Sequence, residues 1–333
     1  MRRNLWWVGL IVAGVLGACG AWAQETGRVE RLVPLDQMAA TERYKGEDGG
    51  LYGGGKNEPP AGQRKAALGQ IARIEPLDAQ GKPSGGGKIV LLSMGMSNTT
   101  QEFTEFKKLA DRDEARNPKV VIVDGALGGA DAEAWVAEGM RERVWENVQK
   151  RLEAAGVTPE QVQVVWMKQA LKGPARLGAF PRHAEVLRDD MVTGLNMAKE
   201  RFPNLRIAYL SSRIYAGYAS TPLNPEPYAY EGAFAVRWVI QSQMKGDAKL
   251  NWDETKGKVR APVVLWGPYL WADGTNGRKS DKLVWNAEDF GPDGTHPSMS
   301  GRTKVAQLLL KFLKTDELAK GWFVGAGGGA RSR

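Results

Sequence analysis

The chain of 333 residues has one cysteine, Cys19, and two histidines, His183 and His296. A lone cysteine excludes an intrachain disulfide, so a large core has to supply the stability. Two histidines leave few sources for a general base near neutral pH. Basic runs are also missing. The 46 Lys and Arg are scattered among 38 Asp and Glu, giving a net charge of +8 without a patch or stripe. That is a solvated surface and argues against nucleic-acid binding. Leu5 to Ala18 is too short and too rich in small residues to be a comfortable membrane span, and no other stretch is long and apolar enough to cross a bilayer. No internal repeat is present.

The N-terminus reads as a targeting segment. Arg2 and Arg3 precede an apolar stretch from Leu5 to Ala18, and Ala21-Trp-Ala23 before Gln24 forms an A-x-A cleavage site. Residues 1–23 are thus expected to be a signal peptide, which makes the net charge of the remainder +6, the +8 less Arg2 and Arg3. Leu16-Gly-Ala-Cys19 offers a competing lipobox, in which Cys19 would carry a lipid anchor. Either route predicts an exported protein, in a bacterial periplasm, secreted, or held as an outer-membrane lipoprotein.

Residues 24–87 are weakly patterned and form an extension. Gly49 to Pro60 reads as a flexible or loop segment, Ile71 to Glu75 as a short strand, and Asp78-Ala-Gln-Gly81 as a turn. From residue 88 to 325 apolar runs alternate with helical patterns. Ile89–Leu92, Val120–Val123, Val162–Trp166, Leu205–Leu210 and Val263–Leu265 are predicted strands buried on both faces. A helix should start at Thr99, with Glu102 completing a capping box. Another should run from Ala132 to Ala155. Leu187, Met191, Leu195 and Ala198 mark a third helical face, and Val305, Leu309 and Phe312 the last. Residues 326–333 form a loose tail. The alternation implies a three-layer α/β/α fold, a flavodoxin-like doubly wound parallel sheet with its site at the C-terminal strand ends.

The residues able to do chemistry cluster at those ends. Ser97 follows the first strand, where a helix N-terminus would favour an oxyanion; the alternative is that Ser97 or Asn98 merely caps the helix. Asp293-Gly-Thr-His296 precedes the last helix, and an acid three residues before a histidine can orient its ring. Asp289 is a second choice for that acid. Asp124 to Asp131 holds Gly128 and Gly129, either of which could offer an N–H to an oxyanion. Lys168 or Gln169, at the end of the third strand, could give a further donor, or Lys168 could be a snorkelling strand-end lysine. Asn98, Arg213, Tyr215, Tyr218, Tyr230, Glu231, Tyr269 and Trp271 lie in polar, aromatic segments after the strands. They suit a sugar-like ligand, although half or more could simply pack under long loops. His183 reads as structural or surface.

The ordered set resembles the SGNH (GDSL-like) hydrolase superfamily. Gly95-Met-Ser97-Asn98-Thr99 is similar to its first block, with methionine where aspartate is commoner. Asp124–Gly129 is similar to the second, and Asp293-Gly-Thr-His296-Pro-Ser-x-x-Gly301 to the last. In the third block Gly-x-Asn-Asp is absent. Trp166-Met-Lys168-Gln169 stands there and is closer to the Trp-x-Gln-Gly-Glu segment of sialate O-acetylesterase-like carbohydrate esterases. The resemblance runs from about Lys88 to Leu313. It implies a flavodoxin-like fold and a serine esterase with Ser97, His296 and Asp293 catalytic. It further implies an oxyanion hole from Ser97, Gly128 or Gly129, with Gln169 or Lys168, and no metal or organic cofactor. The implied substrate is a small acyl ester, such as acetyl, on a carbohydrate; a lipid ester or thioester is the runner-up. A non-catalytic glycan-binding envelope protein of the same fold is a third expectation. A nucleotide site is disfavoured, because residues 94–100 lack phosphate-cradling glycines.

Overall fold

The computed structural model describes residues 32–325. The expected signal peptide, Cys19 and the C-terminal tail lie outside them. One compact unit runs from Val33 onward.

The first helix was not foreseen. A short strand was expected at Ile71–Glu75, but Ala61–Ile71 forms helix α1, so Ile71 ends a helix and does not open a strand. Its apolar residues make only a weak helical face, which is why periodicity missed it. The five strands are then met in order. β1 spans Ile89–Gly95, followed by α2 (Ser97–Asp111), β2 (Val120–Asp124), α3 (Ala132–Val136) and α4 (Arg141–Ala154). β3 (Val162–Lys168), α5 (Arg182–Arg201), β4 (Ile207–Ser211), α6 (Tyr228–Met244), β5 (Val263–Trp266) and α7 (Met299–Thr315) complete the alternation.

The strands form one all-parallel sheet in the order β2-β1-β3-β4-β5. One face carries α1, α2 and α7 over Leu91, Ile122, Trp166, Tyr209 and Leu265. The other is covered by α3 to α6. The result is the expected three-layer α/β fold. Burial on both faces explains why every residue of β1, β3, β4 and β5 is inaccessible and why four of the five runs are almost wholly apolar. Each large side chain buried this way contributes about 1.5–3 kcal/mol over leaving it exposed. Strand order reverses between β1 and β3, so a ligand crevice is expected outside their carboxyl ends.

Several local expectations fail for identifiable reasons. The long helix from Ala132 to Ala155 is two helices, broken at Gly139, whose φ of 79° is left-handed. α2 starts at Ser97, and Glu102 makes no capping box; it points inward as a buried residue. Residues 228–231, read as an aromatic loop, are the first turn of α6. The turn at Asp78–Gly81 does form, with the Gly81 N–H donating to the Asp78 carbonyl at 3.0 Å.

The segment before α1 is loop, but it is pinned. The Arg237 guanidinium, buried within α6, donates to the carbonyls of Asp48 at 2.6 Å and Gly50 at 3.3 Å, and to the Glu47 carboxylate. Trp266 Nε1 donates to the Leu51 carbonyl at 2.6 Å, and the Leu35 N–H to the Tyr269 hydroxyl at 3.0 Å.

Candidate active site

Two glycines shape the ends that meet. A Cβ at Gly95 would lie 2.3 Å from Thr99 Oγ1 and 2.4 Å from the Lys168 carbonyl oxygen. Only glycine lets β1 end against β3 while α2 turns away at once. Gly294 has φ +60°, and a Cβ there would sit 1.9 Å from the Tyr218 carbonyl oxygen. That close approach seats the loop carrying Asp293 and His296 against the segment after β4.

The loop is then fastened from three sides. The Thr295 carbonyl accepts from Asn98 Nδ2 at 3.0 Å and from Arg213 Nη2 at 3.3 Å. The Ser220 N–H donates to the Asp293 carbonyl at 3.0 Å. Asp293 Oδ1 accepts the N–H groups of Thr295 and His296, both at 3.0 Å. Its other oxygen, Oδ2, lies 2.5 Å from His296 Nδ1. His296 Nε2 lies 2.8 Å from Ser97 Oγ, across 199 residues of sequence. With Nδ1–H donating to the Asp293 carboxylate, Nε2 is left to accept the Ser97 hydroxyl proton as a hydrogen bond.

Partial burial pushes the Asp293 carboxyl up, but the backbone N–H and ring of His296, with the Thr295 N–H, outweigh it. The carboxyl is held below its usual value. It is therefore a carboxylate over the whole range where imidazole chemistry runs. Asp289, the second choice for this acid, is spent elsewhere. It accepts from Ser300 Oγ at 2.6 Å, from the Asn286 N–H at 2.8 Å, and from Lys304.

Ser97 and His296 open onto a cleft of about 250 Å³. Its walls come from every loop at the carboxyl ends, including Met96, Gly129, Leu171, Arg213, Leu223 and Asn224. The first helical hydrogen bond of α2 is from the Thr100 N–H to the Met96 carbonyl. The N–H groups of Ser97 and its neighbours are thus the free donors of a helix N-terminus. Gly129, with φ 79°, lines the cleft; Gly128 does not.

The other expected donors are corrected. Lys168 is fully buried behind the site, its Nζ 2.5 and 2.7 Å from the two Glu102 carboxylate oxygens. It neither snorkels nor reaches an oxyanion. Burial pulls Lys168 down to about 8 and pushes Glu102 up, so each depends on the other for its place in the core. Gln169 is buried outside the cleft, and its Oε1 has no hydrogen-bond partner.

The expected ligand platform largely dissolves into packing. Tyr230 and Trp271 are wholly buried and meet edge to face, with ring centroids 4.8 Å apart. Trp271 Nε1 donates to Glu226 at 2.7 Å, and Tyr269 is buried against Leu35. Glu231 is inaccessible and lies 2.6 Å from His183 Nε2, so His183 is structural rather than a surface residue. Asn98 lines the cleft, but its amide holds the Thr295 loop. Tyr215 and Tyr218 keep accessible surface next to that loop; the Tyr218 hydroxyl donates to the Trp285 carbonyl at 3.1 Å.

Sequence reasoning missed Asp131, Leu171, Leu223, Asn224 and Thr295 as cleft residues. Asp131 Oδ2 accepts the Lys172 N–H at 2.8 Å and ties the loop after β2 to the loop after β3. Its place after a glycine pair was the only available signal. Leu223 and Asn224 gave none, because they reach the cleft through a long irregular segment. No group of three His, Cys, Asp or Glu able to hold a metal occurs among the described residues.

No protein-family model matches the chain, and no curated protein matches it. Among solved structures it is similar to a protein described as an acylhydrolase, from Bacteroides fragilis. That match has 15% identity and a TM-score of 0.37, covering 76% of this chain and 96% of the other. A gut microbial diltiazem-metabolizing enzyme matches at 15% identity and TM-score 0.37, over 73% of this chain and 49% of that one. Protein YXIM of Bacillus subtilis matches at 12% identity and TM-score 0.36, over 70% and 57%. Likeness at this level says nothing about chemistry, which rests on the site's own geometry.

Proposed function

We propose that this chain is an exported serine esterase of SGNH type. The observation that supports it is the unbroken chain from Ser97 Oγ through His296 to Asp293, at 2.8 and 2.5 Å, at the mouth of a mainly apolar cleft. Ser97 Oγ attacks the ester carbonyl carbon as its proton passes to His296 Nε2. The oxyanion is received by the N–H groups of Ser97 and Gly129, each such donor contributing about 3 kcal/mol to the transition state. Collapse expels the alkoxide, which takes from His296 the proton that Ser97 gave up. Water then repeats the sequence on the acyl-enzyme. No step calls for a metal or organic cofactor.

The cleft's small volume and apolar walls favour a short acyl group such as acetyl. A carbohydrate is the proposed alcohol, with Tyr215 and Tyr218 as the remaining exposed rings beside the site. The leader sequence supports delivery across a bacterial inner membrane.

The test is labelling of the purified protein with a fluorophosphonate probe, with the adduct mapped by mass spectrometry. Ser97 should be labelled in the native chain. Ser97→Ala should abolish the adduct, and His296→Ala should slow its formation severely. A folded protein that takes no label at Ser97 overturns the esterase reading in favour of a non-catalytic binding protein.

A further inference from the structure

Among the described residues, Arg213 is the cation at the cleft whose charge is not spent. Its side chain is 2% exposed, yet it lines the cleft together with Ser97 and His296. Its one hydrogen bond among the described residues is from Nη2 to the Thr295 carbonyl, at 3.3 Å. Its Nε is buried without a partner. The carboxylates that act on it do so from a distance, and each is engaged. Glu102 binds Lys168, Asp293 binds His296, and Glu226 accepts from the Ala216 and Tyr230 N–H groups and Trp271 Nε1. Asp131, the remaining acid of the cleft, accepts the Lys172 N–H and has the Lys172 ammonium 3.9 Å away.

A guanidinium stays charged and presents a fork that matches a carboxylate. Buried charges are ordinarily paired, because water is not there to compensate them. A buried guanidinium with spare donors, no carboxylate at contact, and an open cleft in front of it is a receptor for an anion. The cleft also holds an unspent acceptor. Asn224 Nδ2 donates to the Leu171 carbonyl at 3.2 Å, which fixes the amide's orientation and leaves Oδ1 buried without a partner. An acceptor repels an anion and attracts a hydroxyl, so the two residues divide the cleft into an anionic end and a hydroxyl end.

We propose that Arg213 is a specificity residue that selects esters carrying a carboxylate, or an equivalent anion, near the scissile bond. This rests on the esterase reading above. The anion can sit on the acyl half or on the alcohol half, and matched esters separate the two. For the acyl half, mono-(4-nitrophenyl) succinate is compared with 4-nitrophenyl acetate. For the alcohol half, 4-acetoxybenzoate is compared with its methyl ester.

The native enzyme should favour the charged member of one pair by about tenfold or more in kcat/KM, the scale of one lost charge-assisted contact. Arg213→Gln should bring that ratio close to one, and Arg213→Lys should restore part of it. A native enzyme without charge preference in either pair overturns the proposal. So does an Arg213→Gln variant that slows charged and neutral esters equally, since that is the mark of a residue that only holds the Thr295 loop. A readout on the native protein covers a variant that does not fold. Succinate or 4-hydroxybenzoate should slow fluorophosphonate labelling of Ser97 more than their methyl esters do, and equal slowing overturns the proposal. Absence of both labelling and turnover fails the esterase reading and this one with it. Labelling without charge discrimination fails this one alone.

Discussion

The two histidines stand in nearly the same local arrangement and in opposite surroundings. His296 lies 2.5 Å from Asp293, and His183 lies 2.6 Å from Glu231. The His296 and Asp293 side chains are 32% and 30% exposed, whereas those of His183 and Glu231 are 3% and 1% exposed. The second nitrogen of His296 faces a serine hydroxyl at the edge of a cleft. The ring of His183 is packed against Tyr228, with centroids 4.8 Å apart, and its carboxylate partner also accepts from Tyr44 at 2.6 Å and Lys45 at 2.8 Å. Burial pushes the Glu231 carboxyl up, but His183, Lys45 and Tyr44 together outweigh it and hold it below its usual value. A histidine–carboxylate pair is therefore not a site by itself. The partner of the other nitrogen and the path to solvent decide whether it turns over a substrate or ties one helix to another.

Replacing each histidine in turn is the sharpest way to break the comparison. His296→Ala should lower kcat by about 10⁴-fold or more while leaving the unfolding midpoint nearly unchanged. His183→Ala should do the reverse, because it leaves Glu231 buried with one partner fewer. We expect a loss of about 2 kcal/mol in stability with turnover per folded molecule retained. Urea unfolding and ester hydrolysis on both variants check this. A His183→Ala protein of full stability would show that Tyr44 and Lys45 suffice to hold the Glu231 carboxylate.

This contrast also marks what the sequence made legible. The five strands could be read because strands buried on both faces must be apolar throughout. Asp293 and His296 could be read because they stand three positions apart in one loop. Ser97 and His296 are 199 residues apart, and only their positions at the ends of a strand and before a helix linked them. Glu231 was opaque for the opposite reason, although its partner His183 read as structural or surface. A polar residue in an aromatic stretch looks like a ligand contact until the helix that buries it is known. Lys168 misled in the same way. It stands at a strand's carboxyl end, where donors are useful, but its side chain is spent on a buried glutamate of α2.

The Lys168–Glu102 pair sharpens the comparison because it combines the burial of one dyad with the location of the other. Both side chains are inaccessible, yet the Lys168 carbonyl accepts from Thr99 Oγ1 at 2.8 Å, two residues from Ser97. If burial decides, the pair is structural. Lys168→Met should then strand a buried carboxyl and cost about 3–5 kcal/mol, whereas the double replacement Lys168→Met with Glu102→Gln should recover most of that loss. The folded fraction of the double variant should still be labelled at Ser97. Restored stability without labelling would instead place this pair among the groups that set the geometry of the serine.

The smallest expected effect concerns a carboxylate with an unbonded oxygen on the same helix as His183. Asp190 lies on α5, half-buried, with Oδ2 unbonded. Burial, and the charges of Glu133, Asp131 and Asp189, push its carboxyl up to about 6. The sign follows from which state holds the proton. Between the unfolded value near 3.8 and the folded value near 6, the folded chain keeps a proton that the unfolded chain releases. Stability from this group is therefore greatest below pH 3.8 and is lost as the pH rises through 6. Asp190→Asn removes the titration. Because the group is partly solvated, screening reduces the effect, and we expect a gain of about 1 kcal/mol at pH 7. The gain should vanish near pH 4, as denaturant titrations at the two pH values would show. An equal gain at both would mean that the asparagine acts through a new hydrogen bond. Asp190 would then differ from Asp293 and Glu231 in contacts alone, without the unfavourable charge that sets it apart from them here.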